Sequence, residues 1–578
     1  MPIDFSNTNT VWASILAETL KRLGLKTVVV CPGSRSAPLA VAFAQLEAVE
    51  AIPVLDERSA AFFALGIARQ THAPVALVCT SGTAGANFYP AIIEARESQV
   101  PLLVLTADRP PELRHCNAGQ TIDQQKMFGS FPNHYAELAL PSLEPQMLAY
   151  LRQTLSHAWE QTLYPLPGPV HLNLPFRDPL IPIPQPEAQN LAPQFHSETF
   201  FSHLSPASLP ALSALPALLP FPSSPRGLLI AGIAQPPCAK TYCHAIAHLS
   251  KTLGVPVLAE GLSPLRNYAH LNPYLVSTYD LLLRNAALAT QLQPEWVIRI
   301  GEMPTSKELR TWLEVSQAQQ WVIDPTGRNL DPLHGNTLHL RLSVEQLAKG
   351  VTPVGDRDFT YLNAWLAAER QARQQVDRIM EDLEDLFEGK TAWLLSQVLP
   401  PKTPLFISSS MPVRDVEFFW ASNDRQIVSF FNRGANGIDG SLSTALGIAH
   451  RNQSGVMLTG DLALLHDTNG FLLRNHFAGH LTIVLINNNG GGIFEMLPIS
   501  GFEPPFERFF ATPQNINFAK LCATYDIPHE QISNWQQLAQ RLNPLPKEGI
   551  RVLEVQTDRK RDAQWRQTNL SKLAKGEV

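Results

Sequence analysis

The chain has 578 residues, 45% hydrophobic and 17% charged, which is enough apolar material for large cores and, by length, about three or four domains. Its formal net charge of −6 includes no long basic or acidic block, which argues against nucleic acid or an anionic membrane surface as the main partner. No apolar run reaches the length of a membrane span. The opening MPIDFSNTNTVW lacks the basic start and apolar core of a secretory signal. Cys31, Cys79, Cys116, Cys238, Cys243 and Cys522 form no CxxC pair, which predicts plain thiols in a reducing cytoplasm.

In chain order, KTVVVC (26–31) reads as a buried strand followed by a turn and an apolar helix from Ala37. AIPVLDE (51–57), PVALVCT (74–80) and PLLVLTA (101–107) are further strands, with helical patterns over Ser59–Gln70 and Ala84–Glu97 between them. Short apolar strands spaced by helices predict a parallel sheet covered on both faces. From about 182 to 226 prolines recur at 182, 184, 186, 193, 206, 210, 216, 220, 222 and 225. They predict a surface connection without regular elements.

A second unit follows, with strands RGLLIAGIA (226–234), VPVLAE (255–260), WVIRIG (296–301) and QWVIDP (320–325). The charged helical stretch Leu362–Phe387 leads to a third, with strands at 403–409, 426–431, 454–460, 481–488 and 550–556. The expected fold class is α/β, with three doubly wound α/β domains: 1–182, 227–355 and 356–578, the first two joined by 183–226. Ligands of such sheets lie beyond the carboxyl ends of the strands.

The strand VMLTG ends in Gly460-Asp461. One helix and one strand later comes Asn487-Asn488-Asn489-Gly490-Gly491. Successive parallel strands put both ends on one edge of a sheet. Asp461 then offers a carboxylate, Asn488 an amide oxygen and Gly490 a backbone carbonyl to one hard cation, the oxygen set magnesium favours. A helix starting near Leu462 would offer N–H groups to a diphosphate. Either half alone is an ordinary turn. Together they resemble the diphosphate-binding motif of thiamine-diphosphate enzymes.

Glu57 in LDERSAAFFALG stands where those enzymes place a glutamate that hydrogen-bonds the aminopyrimidine ring. An acid at a helix start also has a plain explanation in the helix dipole. CTSGTAGANFYPAIIEA (79–95) resembles the pyrimidine-side turn and helix of the same enzymes and favours the catalytic role. Cationic and polar groups follow several strands: Ser34 and Arg35 in PGSRSAPL, Arg109 in TADRPPEL with Gln120 downstream, Lys307 in MPTSKEL, Ser410 and Arg414 in SSSMPVRD, Arg433 and Ile438 in NRGANGIDG. Arginine forks suit carboxylates.

PGSRS, TADRPPEL and NRGANGIDG together resemble the 2-succinyl-5-enolpyruvyl-6-hydroxy-3-cyclohexene-1-carboxylate synthase family, over nearly the whole chain and most strongly in 26–130 and 403–500. The resemblance implies a thiamine-diphosphate-dependent transferase with magnesium, or manganese in its place. Such an enzyme decarboxylates 2-oxoglutarate and adds the succinyl carbanion equivalent to isochorismate in menaquinone or phylloquinone biosynthesis. It implies Glu57 as the activating acid, Asp461, Asn488 and Gly490 as metal ligands, and Ile438 as an apolar wedge under the cofactor. Ser410, Arg414 and Arg433 would contact the oxo acid. Ser34, Arg35, Arg109, Gln120 and Lys307 would face isochorismate. Ser81, Gly82, Asn87, Met411, Gly460, Leu462, Ala463, Gly491 and Ile493 complete the implied cofactor contacts.

The family also implies a homodimer or homotetramer with active sites shared across a dimer. Glu308 departs from family members that carry arginine after the lysine. The middle unit has no Gly-rich dinucleotide fingerprint, so neither flavin nor NAD is expected. Two alternatives stay open on sequence: another enzyme of the superfamily, such as an acetolactate synthase or 2-oxo acid decarboxylase, and a silent relative acting as a subunit.

Overall fold

The computed structural model describes residues 3–202, 204, 222, 224–351 and 358–576. The boundary expected after Gly355 and the prolines at 206, 210, 216 and 220 lie outside the described residues. The chain forms three six-stranded, all-parallel sheets with helical connections, the α/β class the apolar runs predict.

The first sheet contains β1 (Thr27–Val30), β2 (Glu50–Pro53), β3 (Val75–Cys79), β4 (Leu102–Asp108), β5 (His134–Glu137) and β6 (Pro169–Pro175), in the order β2-β1-β3-β4-β6-β5. The second contains β7 (Gly227–Ala231), β8 (Val257–Ala259), β9 (Leu275–Val276), β10 (Trp296–Ile300), β11 (Gln319–Ile323) and β12 (Thr337–Leu340), in the order β12-β11-β10-β7-β8-β9. The third contains β13 (Pro404–Ile407), β14 (Val428–Phe430), β15 (Gly455–Gly460), β16 (His480–Asn487), β17 (His529–Gln531) and β18 (Gly549–Gln556), in the order β14-β13-β15-β16-β18-β17. The first and third sheets therefore share one strand order. The second has the order of dinucleotide-binding folds, although its sequence lacks their glycine fingerprint.

The chain makes two compact bodies. One holds the first sheet together with residues 432–452 and 466–479; the other holds the second and third sheets. In the first body, β3 and β4 are buried along their whole length, so both faces of the sheet are covered and each apolar residue adds to the core. The helices Glu57–Thr71 and Ser441–Ala449 meet backbone to backbone. A Cβ at Gly66 would stand 2.2 Å from the Thr444 carbonyl oxygen, and one at Gly447 would stand 2.2 Å from that of Phe63. No other residue type fits at either contact.

Several local expectations need correction. The continuous helix expected over Ala84–Glu97 is two helices, Thr83–Ala86 and Tyr89–Glu97. Pro90 has no N–H to return to the Ala86 carbonyl, so the first helix stops there and the second starts with proline in its first turn. The strand expected over 51–57 ends at Pro53. Asp56 caps the next helix through the Arg58 N–H (3.0 Å), and Glu57 is the first helical residue rather than a strand terminus. The proline-rich connection contains the helices Pro186–Leu191 and Ser197–Phe200, with Ala188 and Phe201 buried in the first core. Proline at a helix start is pre-organised for the helix, not opposed to it. The charged helix expected at Leu362–Phe387 runs Thr360–Asp382.

Candidate cofactor and substrate sites

In the first sheet the strand order reverses between β1 and β3, and the polar turns after these strands meet there. A Cβ at Gly33 would lie 2.2 Å from the Thr80 side chain, and the Arg35 N–H donates to Thr80 Oγ1 (3.2 Å). Arg35 is buried and donates Nη1 to the Phe176 carbonyl (2.8 Å). Burial holds its guanidinium below the ordinary arginine range, and the charge of Arg109 lowers it further. Arg35, after the switch-point strand β1, thus lies within electrostatic reach of Arg109, after β4, at the edge where such sheets bind ligands. Arg109 is half-buried and donates to the Gly119 carbonyl (3.0 Å), while Ser34 is exposed.

Gln120 and Ser81 exchange hydrogen bonds. Gln120 Nε2 donates to the Ser81 carbonyl (3.0 Å), and Ser81 Oγ donates to the Gln120 carbonyl (3.1 Å). The next residue, Gly82, has φ 89° and ψ −143° and donates its N–H to Gln124 Oε1 (2.9 Å). Gln124 also donates to the Ala107 carbonyl and to Asn173 Oδ1. It ties three strand ends together, and nothing in the sequence marked it. Asn87 is half-buried, with its amide donating back to the Thr83 carbonyl (3.2 Å).

Glu57, half-buried, opens the helix Glu57–Thr71. Its charge reaches Cys31 and Cys79: burial pushes both thiols up most, the Cys79 charge next raises Cys31, and Glu57 raises each further. That places Glu57 beside the ends of β1 and β3. In the same body, the turn carrying Arg433 and Ile438 is clamped by Glu94. Glu94 Oε1 accepts the Gly434 N–H (3.0 Å) and Oε2 accepts the Ala435 N–H (2.7 Å). Glu94 is buried and paired with Arg69 (3.2 Å). Sequence reading missed this clamp, whose partners lie 340 and 341 residues apart.

In the third sheet the switch point lies between β13 and β15. Ser410 follows β13 with φ 78° and ψ −131°, a conformation non-glycine residues rarely adopt, and its carbonyl accepts Arg414 Nη1 (2.7 Å). Met411 is buried in the following helix. Asp461, after β15, accepts the Leu462 N–H on Oδ1 (2.9 Å) and the Gly490 N–H on Oδ2 (2.8 Å). The two turns, 29 residues apart, do meet. Burial pushes the Asp461 carboxyl up to about 6 against these hydrogen bonds, and the charge of Glu388 adds to the rise.

Asn488 is buried. Its Nδ2 donates to Glu388 Oε1 (2.5 Å), while its Oδ1 has no hydrogen-bond partner. The Gly490 carbonyl accepts the Gly492 N–H (3.0 Å), which leaves it one lone pair. A destabilised carboxylate beside an orphaned amide oxygen fits a hard cation. Among the described residues no cluster of three or more His, Cys, Asp or Glu side chains offers another metal site.

Around this constellation Gly460 faces open space, Ala463 is buried, and Leu462 and Ile493 are half-buried. Gly491 donates its N–H to the Ala511 carbonyl (2.7 Å). The amphipathic helix expected after Asp461 is shorter: Asp461–His466, then a 3-10 stretch over Thr468–Asn475. Lys307 is exposed at the start of the helix Lys307–Ser316, beyond β10 of the second sheet. Glu308, the departure from the family pattern, lies 3.8 Å from Arg284.

The family of N-terminal binding domains of thiamine pyrophosphate enzymes matches residues 11–127, and the thiamine pyrophosphate middle-domain family matches 218–407. A 2-succinyl-5-enolpyruvyl-6-hydroxy-3-cyclohexene-1-carboxylate synthase of Trichormus variabilis is 64% identical over 578 residues, covering 99% of both chains. The synthase of the same name from Trichodesmium erythraeum is 61% identical, again over 99% of both chains. The chain belongs to this synthase family. It is a thiamine-diphosphate-dependent transferase. A protein isolated from Mycobacterium smegmatis and described as thiamin diphosphate-dependent shares the fold. Its TM-score is 0.65 at 17% identity, covering 95% of this chain and 99% of that one. No helix among the described residues of this synthase is long and apolar enough to cross a membrane.

Proposed function

We propose that this synthase decarboxylates 2-oxoglutarate and joins the succinyl unit to isochorismate, in the cytoplasm, on the route to menaquinone or phylloquinone. The observation that supports the reading is the buried Arg35 after β1, whose guanidinium feels the charge of Arg109 at the end of β4. Two like charges held together in a partly buried place are stabilised by a polyanion, and both substrates are polyanions. Thiamine diphosphate, when bound, supplies the electron sink that lets a 2-oxo acid lose carbon dioxide.

The chain's own residues bind, orient and move protons. Glu57 would hydrogen-bond the aminopyrimidine ring as the activating acid. Asp461, Asn488 Oδ1 and the Gly490 carbonyl would hold magnesium, or manganese in its place. Gly460, Leu462, Ala463, Gly491 and Ile493 would surround the diphosphate end of the cofactor. Ile438 would be the apolar wedge against the cofactor, and Ser81, Gly82, Asn87 and Met411 would complete its contacts. Ser410, Arg414 and Arg433 orient the oxo acid. Ser34, Arg35, Arg109, Gln120 and Lys307 face isochorismate. Residues 1–182 serve the pyrimidine end, 227–355 form a structural domain and 356–578 serve the diphosphate end. Two chains pair so that each active site draws Glu57 from one subunit and the metal ligands from the other.

The test is an assay of the full chain with thiamine diphosphate and magnesium, following isochorismate by absorbance and release of carbon dioxide. Isochorismate should disappear only when 2-oxoglutarate is present. Pyruvate turnover equal to that of 2-oxoglutarate would overturn the substrate assignment.

A further inference from the structure

Asn488 has two chemically opposite ends, and its environment decides which one faces the candidate cation site. Nδ2 donates to Glu388 Oε1 at 2.5 Å, and Oδ1 is left buried without a partner. The backbone of Gly492 packs against the same amide nitrogen, since a Cβ there would stand 2.6 Å from Nδ2. A carboxylate oxygen accepts and cannot donate, so only the NH2 end of the amide can face Glu388.

Glu388 is itself held rigidly. It opens the helix Glu388–Val398, and its N–H donates to Asp562 Oδ2 (3.1 Å). Its other oxygen, Oε2, accepts Arg566 Nη2 (2.7 Å). Arg566 is also bidentate to Asp415, through Nε at 3.1 Å and Nη2 at 2.7 Å on Oδ1, with Nη2 also 2.9 Å from Oδ2. All four side chains are buried. Two carboxylates, Glu388 and Asp415, therefore share one guanidinium, with Asp562 beside them 3.6 Å from Arg561, and burial pushes the Asp415 and Asp562 carboxyls up. A buried cluster of this kind is weak evidence of a contribution to stability. What the Glu388 carboxylate adds is a fixed acceptor for Asn488.

We propose that Glu388 is a positioning residue for the metal: its carboxylate, locked by Arg566, holds the Asn488 amide in the one orientation that presents an oxygen to a divalent cation. The proposal rests on the reading of Asp461, Asn488 and Gly490 as metal ligands. In Glu388→Gln, Arg566 takes the new amide's oxygen and leaves its NH2 facing Asn488. Two NH2 groups cannot pair, so Asn488 turns over and its oxygen is lost to the cation. Adding Asn488→Asp supplies an acceptor for that NH2 and a second oxygen for the metal.

Magnesium-dependent binding of thiamine diphosphate to the full-length chain, measured by titration calorimetry, tests this alongside the melting temperature of the cofactor-free protein. Glu388→Gln should weaken binding roughly 10- to 100-fold, the range for groups that orient metal ligands. Its melting temperature should be unchanged or raised. The double variant Glu388→Gln/Asn488→Asp should recover most of the affinity. Asp562→Asn removes a charge beside the same cluster while its amide oxygen can still accept the Glu388 N–H, and it should bind like the parent. Parental affinity in Glu388→Gln would overturn the proposal, and so would an equal loss in Asp562→Asn, which would make charge rather than orientation the cause. A lowered melting temperature that the double variant does not reverse would reduce Glu388 to a structural role. If Asp461→Ala bound cofactor as tightly as the parent, the metal site itself would be misplaced, and the proposal would fall with it.

Discussion

Ser410 and Gly82 share one backbone conformation, φ 78° and ψ −131° at the serine against φ 89° and ψ −143° at the glycine. Each stands between a strand and the following helix. The glycine adopts this region without steric cost, whereas a side chain there is strained by about 1–3 kcal/mol. Strain kept at a strand end beside a proposed ligand site points to a hydroxyl retained for binding. Ser410→Gly should leave the chain as stable as the parent or more so in urea, by roughly 1 kcal/mol. It should also lower kcat/KM for 2-oxoglutarate by about tenfold or more, the scale of a hydrogen bond to a charged group. Lower stability with unchanged kinetics would show that the serine serves the fold alone.

Glu57→Gln keeps the shape of the side chain and removes its acid. Turnover should fall at least ~100-fold, with a much smaller change in cofactor affinity. Mixing this variant with Asp461→Ala, once subunit exchange is confirmed, tests whether sites are shared. Random pairing makes about half the dimers mixed, and one of the two sites in each carries neither lesion, so roughly a quarter of the sites should recover. Mixed dimers without restored activity would place Glu57 and Asp461 in the same site of one chain.

Arg109→Ala and Arg414→Ala should each lower kcat/KM by ~1.5–3 kcal/mol. Arg109 donates to the Gly119 carbonyl and Arg414 to the Ser410 carbonyl, and the unfolding midpoints should move less than the kinetics. Lysine at either position should rescue poorly, because an ammonium cannot reproduce the planar fork. Parental kinetics in the alanine variants would return both arginines to a local structural role.

His171 lies wholly buried in β6, with Nε2 2.8 Å from Thr106 Oγ1 and Nδ1 without a partner. Thr106 also donates to Asn173 Oδ1 (2.9 Å), so Nε2 carries the hydrogen and Nδ1 is a bare acceptor. Burial holds the imidazole down at about 3. Below about pH 6.5 the unfolded chain takes up a proton that the folded chain refuses. This contribution is complete above pH 6.5 and is lost as pH falls toward 3, at up to ~1.4 kcal/mol per pH unit. His171→Gln should therefore show a shallower fall in urea midpoint between pH 6 and 4 than the parent. Parallel curves would mean that His171 takes up its proton in the folded state.

The sheets were legible because parallel strands buried on both faces read as apolar runs, as VALVC and LLVLTAD do. β6 escaped because His171 and Asn173 interrupt its run, although the whole strand is buried. β5, β9, β12 and β17 are short, and three of them are half-exposed along most of their length, so they leave little hydrophobic trace. In the candidate sites, residues next to a glycine-rich turn could be found, because the turn announces itself. Gln124, Glu94 and Glu388 could not. Their partners lie 42, 340 and 100 residues away, and only the packed fold brings them together.

The contact of Gly66 with the Thr444 carbonyl leaves no slack. Most packed helices are spaced by side chains, so mutation can move them either closer or farther apart. Here the spacing is already at its floor, and every substitution at Gly66 or Gly447 works in one direction, outward. The turn that carries Arg433 and Ile438 runs straight into the helix Ser441–Ala449 and would travel with it. Sequence drift at these two positions can therefore only loosen the placement of that arginine, and no compensating substitution there can tighten it again.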